Sequence, residues 1–152
     1  MKPIRNSAKA VIIQDGRLLL TKNKDHLGLY YLFPGGGQEK GEQLKDAVIR
    51  ECIEEIGQQV EVQDLLTIRE YIGKNHEFAE WDADMHQIEF YFACRLVEPY
   101  FPDAVGTNPD EYQVGVEWIE IAQLDEIRMY PRTFGDMIQA NSFTKKYLGD
   151  AN

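Results

Sequence analysis

Residues 36–58 read GGQEKGEQLKDAVIRECIEEIGQ, and the reading of this stretch decides the fold. Pro34, Gly35, Gly36 and Gly37 form a cluster of backbone breakers. Gln43 to Ile56, by contrast, holds neither Gly nor Pro and repeats an apolar residue every three or four positions. The pattern predicts a loop and then a helix over 43–56, with Gly57 as its C-cap. On a helical wheel Ile49, Cys52, Ile53 and Ile56 share one side, while Glu51, Glu54 and Glu55, at i, i+3 and i+4, share the other. Three carboxylates are therefore expected on one face.

Such a face is costly. Like charges at i, i+4 repel by roughly 0.2–0.5 kcal/mol per pair, and Glu54 and Glu55 fall in the last turn, where the helix dipole disfavours anions. A merely solvated surface would interleave lysines. Local rules broken without an evident return mark functional sites, and a divalent cation supplies that return by neutralising the cluster. Ligation by carboxylates favours a hard ion, Mg²⁺ or Mn²⁺, over zinc. Because Mg²⁺ shares its shell with substrate phosphates, a diphosphate-containing substrate is expected. Arg50, one turn before Glu54, is placed to hold a carboxylate through a fork-like pair or to touch phosphate.

Gly36, Glu42, Arg50, Glu51, Glu54, Glu55 and Gly57 stand at the spacing of a Nudix box, and the segment resembles the signature of the Nudix hydrolases, the MutT-like family. At average residue usage these seven positions would coincide by chance roughly once in a million chains, which sets the match apart from a short motif. The resemblance implies an α/β fold, the α/β/α sandwich with a mixed β-sheet, in a single domain over residues 1–152. It also implies cleavage of a pyrophosphate bond in a nucleoside diphosphate linked to another moiety, by attack of a metal-activated water on phosphorus. Carried over by position, Glu51, Glu54 and Glu55 would be metal ligands, joined by the carbonyl of Gly36. One of these glutamates or a loop glutamate would be the base, and Glu42 with Arg50 would brace the site. In the family a glutamate from the region of Glu98 to Gln113 often completes the metal shell or acts as base. Glu111 and Glu117 are the two candidates, and spacing does not choose between them. Cys52 and Gln58 stand where the family prefers aliphatic residues; Gln58 is expected only to weaken a packing contact.

The flanks read mostly as strands. Ala8 to Ile13 and Leu18 to Thr21 are joined by a tight Asp15-Gly16 turn, and Tyr30 to Phe33 leads into the glycine loop. Glu61 to Ile72, Met85 to Val97 and Val114 to Ile121 are further strand candidates. Helical stretches are expected around Ala122 to Arg128 and Arg132 to Ala140. The long segment from Glu98 to Gln113 is a candidate to close over substrate. Aromatics at Tyr30, Tyr31, Phe33, Phe90, Tyr91 and Phe92 read mostly as core, although an alternate member of either strand is a candidate to stack on a base. His86 reads as structural; His26 stands in the loop before the glycine segment, where a substrate could reach it, and its role is open between structural and functional.

Composition narrows the partners. The chain has 152 residues, 43% of them hydrophobic, which suits one domain with a single core. It has no apolar run near 18 residues and no signal-type start, so a soluble cytoplasmic protein is expected. Cys52 and Cys94 lack metal-site spacing and read as buried thiols. The net charge of −10 argues against long nucleic acid or anionic membrane as partners. It leaves open a small nucleotide, with Arg5, Lys9, Lys22 and Lys24 as candidate cations. Monomer and homodimer are both compatible with the pattern.

Substrate markers are sparse. Family members acting on ADP-ribose commonly carry a proline after the box, and none stands between Gln58 and Glu98. Leu19-Leu20-Thr21 followed by Phe33-Pro34-Gly35-Gly36 echoes coenzyme A hydrolases, but Asn23 replaces the expected arginine and the spacing is shorter. A nucleoside triphosphate is the leading substrate, with ADP-ribose or a nucleotide sugar as the alternative. A non-catalytic nucleotide-binding regulator on the same fold would be signalled by a missing box glutamate, and every one is present. An acidic-helix enzyme of the prenyl-transfer kind would be all-helical, against the strand-rich flanks.

Overall fold

Alternation along the first strand explains the layering. The computed structural model describes residues 2–102, 104 and 106–152. Strand β1 (Arg5–Gln14) turns through Asp15 and Gly16, both at positive φ, into β2 (Arg17–Asp25). That pair of dihedrals is the I′ geometry an Asp-Gly hairpin favours. There follow β3 (Gly28–Leu32), β4 (Gly35–Gly37), α1 (Leu44–Ile56) and β5 (Val60–Ile72). A short helix α2 (Ala79–Asp82) precedes β6 (His86–Leu96) and β7 (Gln113–Glu120). The chain closes with β8 (Met129–Tyr130), α3 (Arg132–Gln139) and β9 (Tyr147–Asp150).

β1 and β2 pair only at Ile13–Leu18 and Gln14–Arg17, next to their turn. Beyond it they part company. β1 lies between antiparallel β4 and parallel β6, and β6 pairs with antiparallel β5, which in turn pairs with parallel β9. β2 lies between antiparallel β3 and β7, with β8 parallel beside β3. Two sheet portions thus share one hairpin and diverge from it.

Both faces of this arrangement are covered. Ala8, Ala10, Ile12 and Leu19 face Ala47, Val48, Cys52 and Ile56 of α1. Val11, Leu18 and Leu20 face Phe134 and Ile138 of α3. Phe134 packs on Phe33 and Tyr91 with ring centroids 5.3 and 4.9 Å apart. The result is the expected α/β/α sandwich with a mixed sheet. Cys52 and Cys94 are buried and free. No helix among the described residues is long and apolar enough to cross a membrane.

Several expectations need correction. The glycines read as loop form strand β4, pressed against β1 so closely that a Cβ on Gly35 would lie 2.1 Å from the Ala8 carbonyl oxygen. Only a residue without a side chain permits that approach. The expected helix after Ala122 is a 3-10 turn, Ile121–Glu126, and α2, β8 and β9 carry too little periodicity to announce themselves. On α1 the wheel assignment fails at two positions: Ile53 is 40% exposed, whereas Glu55 is only 5% exposed. The buried arc is displaced toward Glu55, because the segment after residue 98 and β4 cover that side.

Candidate active site

The C-terminal half of α1 and strand β4 form one wall of a cavity of about 710 Å³. Gly35, Gly36, Glu51, Glu54 and Glu55 line that wall. The floor comes from β1, β5 and β6, with Arg5, Ser7, Lys9, Arg69, Tyr71, Glu89 and Tyr91. The volume and the mixed lining suit a small-molecule site.

Arg50 organises the acidic wall. Its Nε and Nη2 donate to the two carboxylate oxygens of Glu42 at 3.2 and 2.6 Å, and Nη2 also donates to the Gly37 carbonyl at 2.9 Å. Nη1 donates to Glu51 at 2.9 Å and to Glu54 at 3.3 Å. A fork that meets Glu42 bidentately is a geometry lysine cannot reproduce. It holds the Glu42 carboxyl below its ordinary range and ties the loop after β4 to the helix.

Glu51 and Glu55 are pushed the other way. Burial raises the carboxyl of Glu51, partly offset by Arg50. Burial raises Glu55 further, to about 8, although Lys9 and the Gly35 N–H, donating to its Oε2 at 3.1 Å, oppose the shift. Gly36 abuts Glu51: a Cβ there would lie 2.5 Å from the Glu51 carboxyl carbon. As they stand, no three acids, imidazoles or thiols among the described residues are gathered closely enough to hold a metal. Arg50 is instead the positive charge lying across Glu51 and Glu54.

The segment read as a closing loop is docked on the end of α1. Helix C-termini leave carbonyls without partners. Here Thr107 N–H donates to Ile53 O at 3.4 Å and Asn108 N–H to Glu54 O at 2.8 Å, while Gln113 Nε2 donates to Glu55 O at 2.9 Å. Gln58, far from merely weakening a contact, is buried and donates through Nε2 to Phe101 O at 3.1 Å. This docking brings Asn108 and Asp110 to the cavity. Two positions of the segment, 103 and 105, lie outside the described residues.

Neither Glu111 nor Glu117 lines the cavity; Asp110 does. Glu117 is turned to β2 and β3, where it accepts from the Tyr31 hydroxyl at 3.0 Å and pairs with Lys22 at 3.6 Å. The alternation of β7 sets that direction, since Glu117 stands opposite Leu20. Of the four candidate cations Arg5 and Lys9 line the cavity, and Lys22 and Lys24 do not. His26 lines it too, while His86 meets Glu70 at 2.8 Å as a structural partner.

Sequence reading missed the buried ion pair on the floor. Arg69 Nε donates to Glu89 at 2.7 Å, and the Tyr91 hydroxyl donates to the same carboxylate. Although burial pushes the Glu89 carboxyl up, Arg69 and Lys9 bring it below its ordinary value. The signal was a charge at an inward position of an otherwise apolar strand, Ile88-Glu89-Phe90-Tyr91. Also missed were Asp25, Phe78, Trp81, Arg128 and Tyr130, contributed by segments remote from one another.

A NUDIX domain family model matches residues 3–138. The chain belongs to the NUDIX domain family. It is 38% identical over 112 residues to a nucleoside triphosphatase NudI of Salmonella agona, covering 66% of this chain and 79% of that protein. It is 32% identical over 109 residues to the nucleoside diphosphate-linked moiety X motif 6 protein of Mus musculus. That match covers 71% of this chain but only 31% of the mouse protein, so the chain spans about a third of that relative's length. Among solved structures, a NUDIX hydrolase from Nitrosomonas europaea superposes with a TM-score of 0.69 at 22% identity, covering 91% of this chain and 89% of the other. That likeness speaks for the fold.

Proposed function

We propose that the protein hydrolyses a pyrophosphate bond in a nucleoside diphosphate linked to another moiety, with a nucleoside triphosphate as leading substrate and Mg²⁺ or Mn²⁺ as cofactor. The observation that carries this reading is the wall on which Glu51, Glu54, Glu55 and Gly36 meet, with Arg50 braced by Glu42 across it. The 38% identity to a protein named nucleoside triphosphatase supports the substrate class.

The donor set suits a hard divalent cation. It consists of carboxylate oxygens beside the backbone of Gly36, and the guanidinium already bound to Glu51 and Glu54 marks the place as one that attracts positive charge. Glu51, Glu54 and Glu55, with the Gly36 carbonyl, are the ligands in this reading. When bound, the cation supplies charge to the phosphate oxygens and lowers the pKa of an attacking water.

The chain's own residues do the rest. Arg50 holds Glu51 and Glu54 through Nη1, so it is a positioning residue. Arg5 and Lys9 meet phosphate oxygens from the floor, offsetting the acids around them. Asp110 takes the role of the loop acid that Glu111 or Glu117 was expected to fill, supported by its place in the cavity lining and by the repulsion it exerts on Glu55. A cytoplasmic setting and a small-molecule partner belong to the same reading, supported by two free, buried cysteines.

The test is product analysis across nucleoside triphosphates, nucleotide sugars, ADP-ribose, dinucleoside polyphosphates and coenzyme A, each with Mg²⁺, with Mn²⁺ and with a chelator. Metal-dependent release of a nucleoside monophosphate from a triphosphate is the expected result. Turnover confined to another member of the panel would replace the triphosphate as substrate, and silence throughout would remove the hydrolase.

A further inference from the structure

The cavity has a second wall of a different chemistry. Tyr30 from β3, Phe78 and Trp81 from the β5–β6 connection, and Tyr130 from β8 all line it, with His26 at its edge. Their rings contact one another: Phe78 meets Tyr130 at 5.8 Å and Trp81 at 6.4 Å, Tyr30 meets Tyr130 at 6.2 Å, and His26 meets Trp81 at 5.3 Å. None of these residues belongs to either hydrophobic core. Trp81 is 63% exposed, and Tyr30, Phe78 and Tyr130 are only half-buried. Aromatic area of this extent is expensive to leave facing a cavity unless something covers it.

Arg128 fixes the wall and leaves no unpaired cation in it. Its guanidinium makes an end-on pair with both oxygens of Asp25 and donates through Nε to the Tyr130 hydroxyl at 2.9 Å. Its carbon lies 4.9, 5.7 and 6.0 Å from the ring centres of Tyr30, Tyr130 and Phe78. The cluster is thus close to neutral and flat-sided. A phosphate would find no uncompensated charge there, whereas a planar heterocycle would find π-faces.

We propose that Tyr30, Phe78, Trp81 and Tyr130 form the seat of the substrate's nucleobase, opposite the acidic wall. The proposal rests on the nucleotide reading above and deepens it. Recognition is by stacking, with Arg128 and Asp25 as positioning residues that hold the rings. Stacking is tolerant of base identity because every base presents a π-face. The seat therefore favours a nucleotide over a base-free phosphate while discriminating weakly among bases.

The test is equilibrium binding without metal, comparing AMP with ribose 5-phosphate, by calorimetry. Native protein is expected to bind AMP at least about ten-fold more tightly than ribose 5-phosphate, the range one stacked base contributes. Trp81→Ala and Phe78→Ala should each narrow that gap several-fold, and Trp81→Phe, which keeps a ring, should restore most of it. Trp81 is largely exposed, so its replacement leaves the fold in place. GMP and CMP should lie within about ten-fold of AMP. Equal binding of AMP and ribose 5-phosphate, or a gap unchanged in both alanine variants, would overturn the seat. A gap that closes as expected in a protein that turns over no nucleotide with Mg²⁺ would uphold the seat and remove the hydrolase.

Discussion

At the scale of single residues, two adjacent glycines have different reasons to be glycine. A Cβ on Gly35 would run into the backbone oxygen of Ala8, at a φ of +144 that side chains rarely adopt, while one on Gly36 would meet the end of the Glu51 side chain. Backbone cannot give way, and a carboxylate can. Gly35→Ala is therefore expected to cost about 3 kcal/mol or more of stability, read as a fall in denaturation midpoint. Gly36→Ala should fold with nearly native stability yet lose roughly ten- to a hundred-fold in metal affinity, because Glu51 is pushed aside. Equal destabilisation by the two changes would contradict this division.

Glu55 provides a pH signature at the same scale. Its carboxyl is raised from 4.5 to about 8 by burial, so the native protein holds a proton that the unfolded chain releases. A raised acid contributes stability below its unfolded pKa and loses it as pH climbs toward the folded value. Metal-free protein should thus lose stability between about pH 4.5 and 8, by an amount on the order of a few kcal/mol. Glu55→Gln should flatten that slope in melting curves recorded with a chelator. A slope that persists in the variant would assign it to other groups.

At the scale of elements, the decisive contact is between the end of α1 and the segment that caps it. Gly106 sits so close that a Cβ would lie 2.2 Å from the Glu54 carbonyl oxygen. Gly106→Ala should undock the segment and withdraw Asn108 and Asp110 from the cavity. Activity should drop at least ten-fold while the melting temperature moves by only a few degrees, since of the segment's described residues Tyr100 alone packs on a hydrophobic core. A native rate in this variant would show that the segment contributes nothing to the site. Helix α1 was legible in the sequence because a breaker cluster, a 3.6-residue period and Gly57 bound it, and Gly57 does cap it at φ 65. The burial of Glu55 was not, since it depends on what covers the helix, and periodicity carries no information about that. β1 and β2 were legible through their Asp-Gly turn. The order of the strands was not, because pairing follows from how two sheet portions diverge beyond a two-residue ladder.

At the scale of the whole molecule, acidity and cavity chemistry must be reconciled. A net charge of −10 works against binding a polyphosphate, and the proposed cation at the acidic wall would reverse that locally. Any ion that binds the native state alone stabilises it, by about 2.7 kcal/mol at one hundred times its dissociation constant. Mg²⁺ should accordingly raise the melting temperature of the native protein, and Glu51→Gln should blunt the rise. An unchanged melting temperature at high Mg²⁺ would argue against a metal held by these acids. The box made one wall of the cavity readable in advance. The floor and the aromatic wall were not, because Arg69 with Glu89, and Tyr30 with Phe78, Trp81 and Tyr130, meet only once the sheets are assembled.

The most direct measurement is the initial rate of nucleoside triphosphate hydrolysis at saturating Mg²⁺, in native protein and in Glu54→Gln of verified fold. A fall of at least a hundred-fold in kcat with little change in KM is expected, because the proposed function makes Glu54 a ligand of the metal at the reacting centre. A rate undiminished in the variant would contradict the assignment of the acidic wall as the catalytic centre.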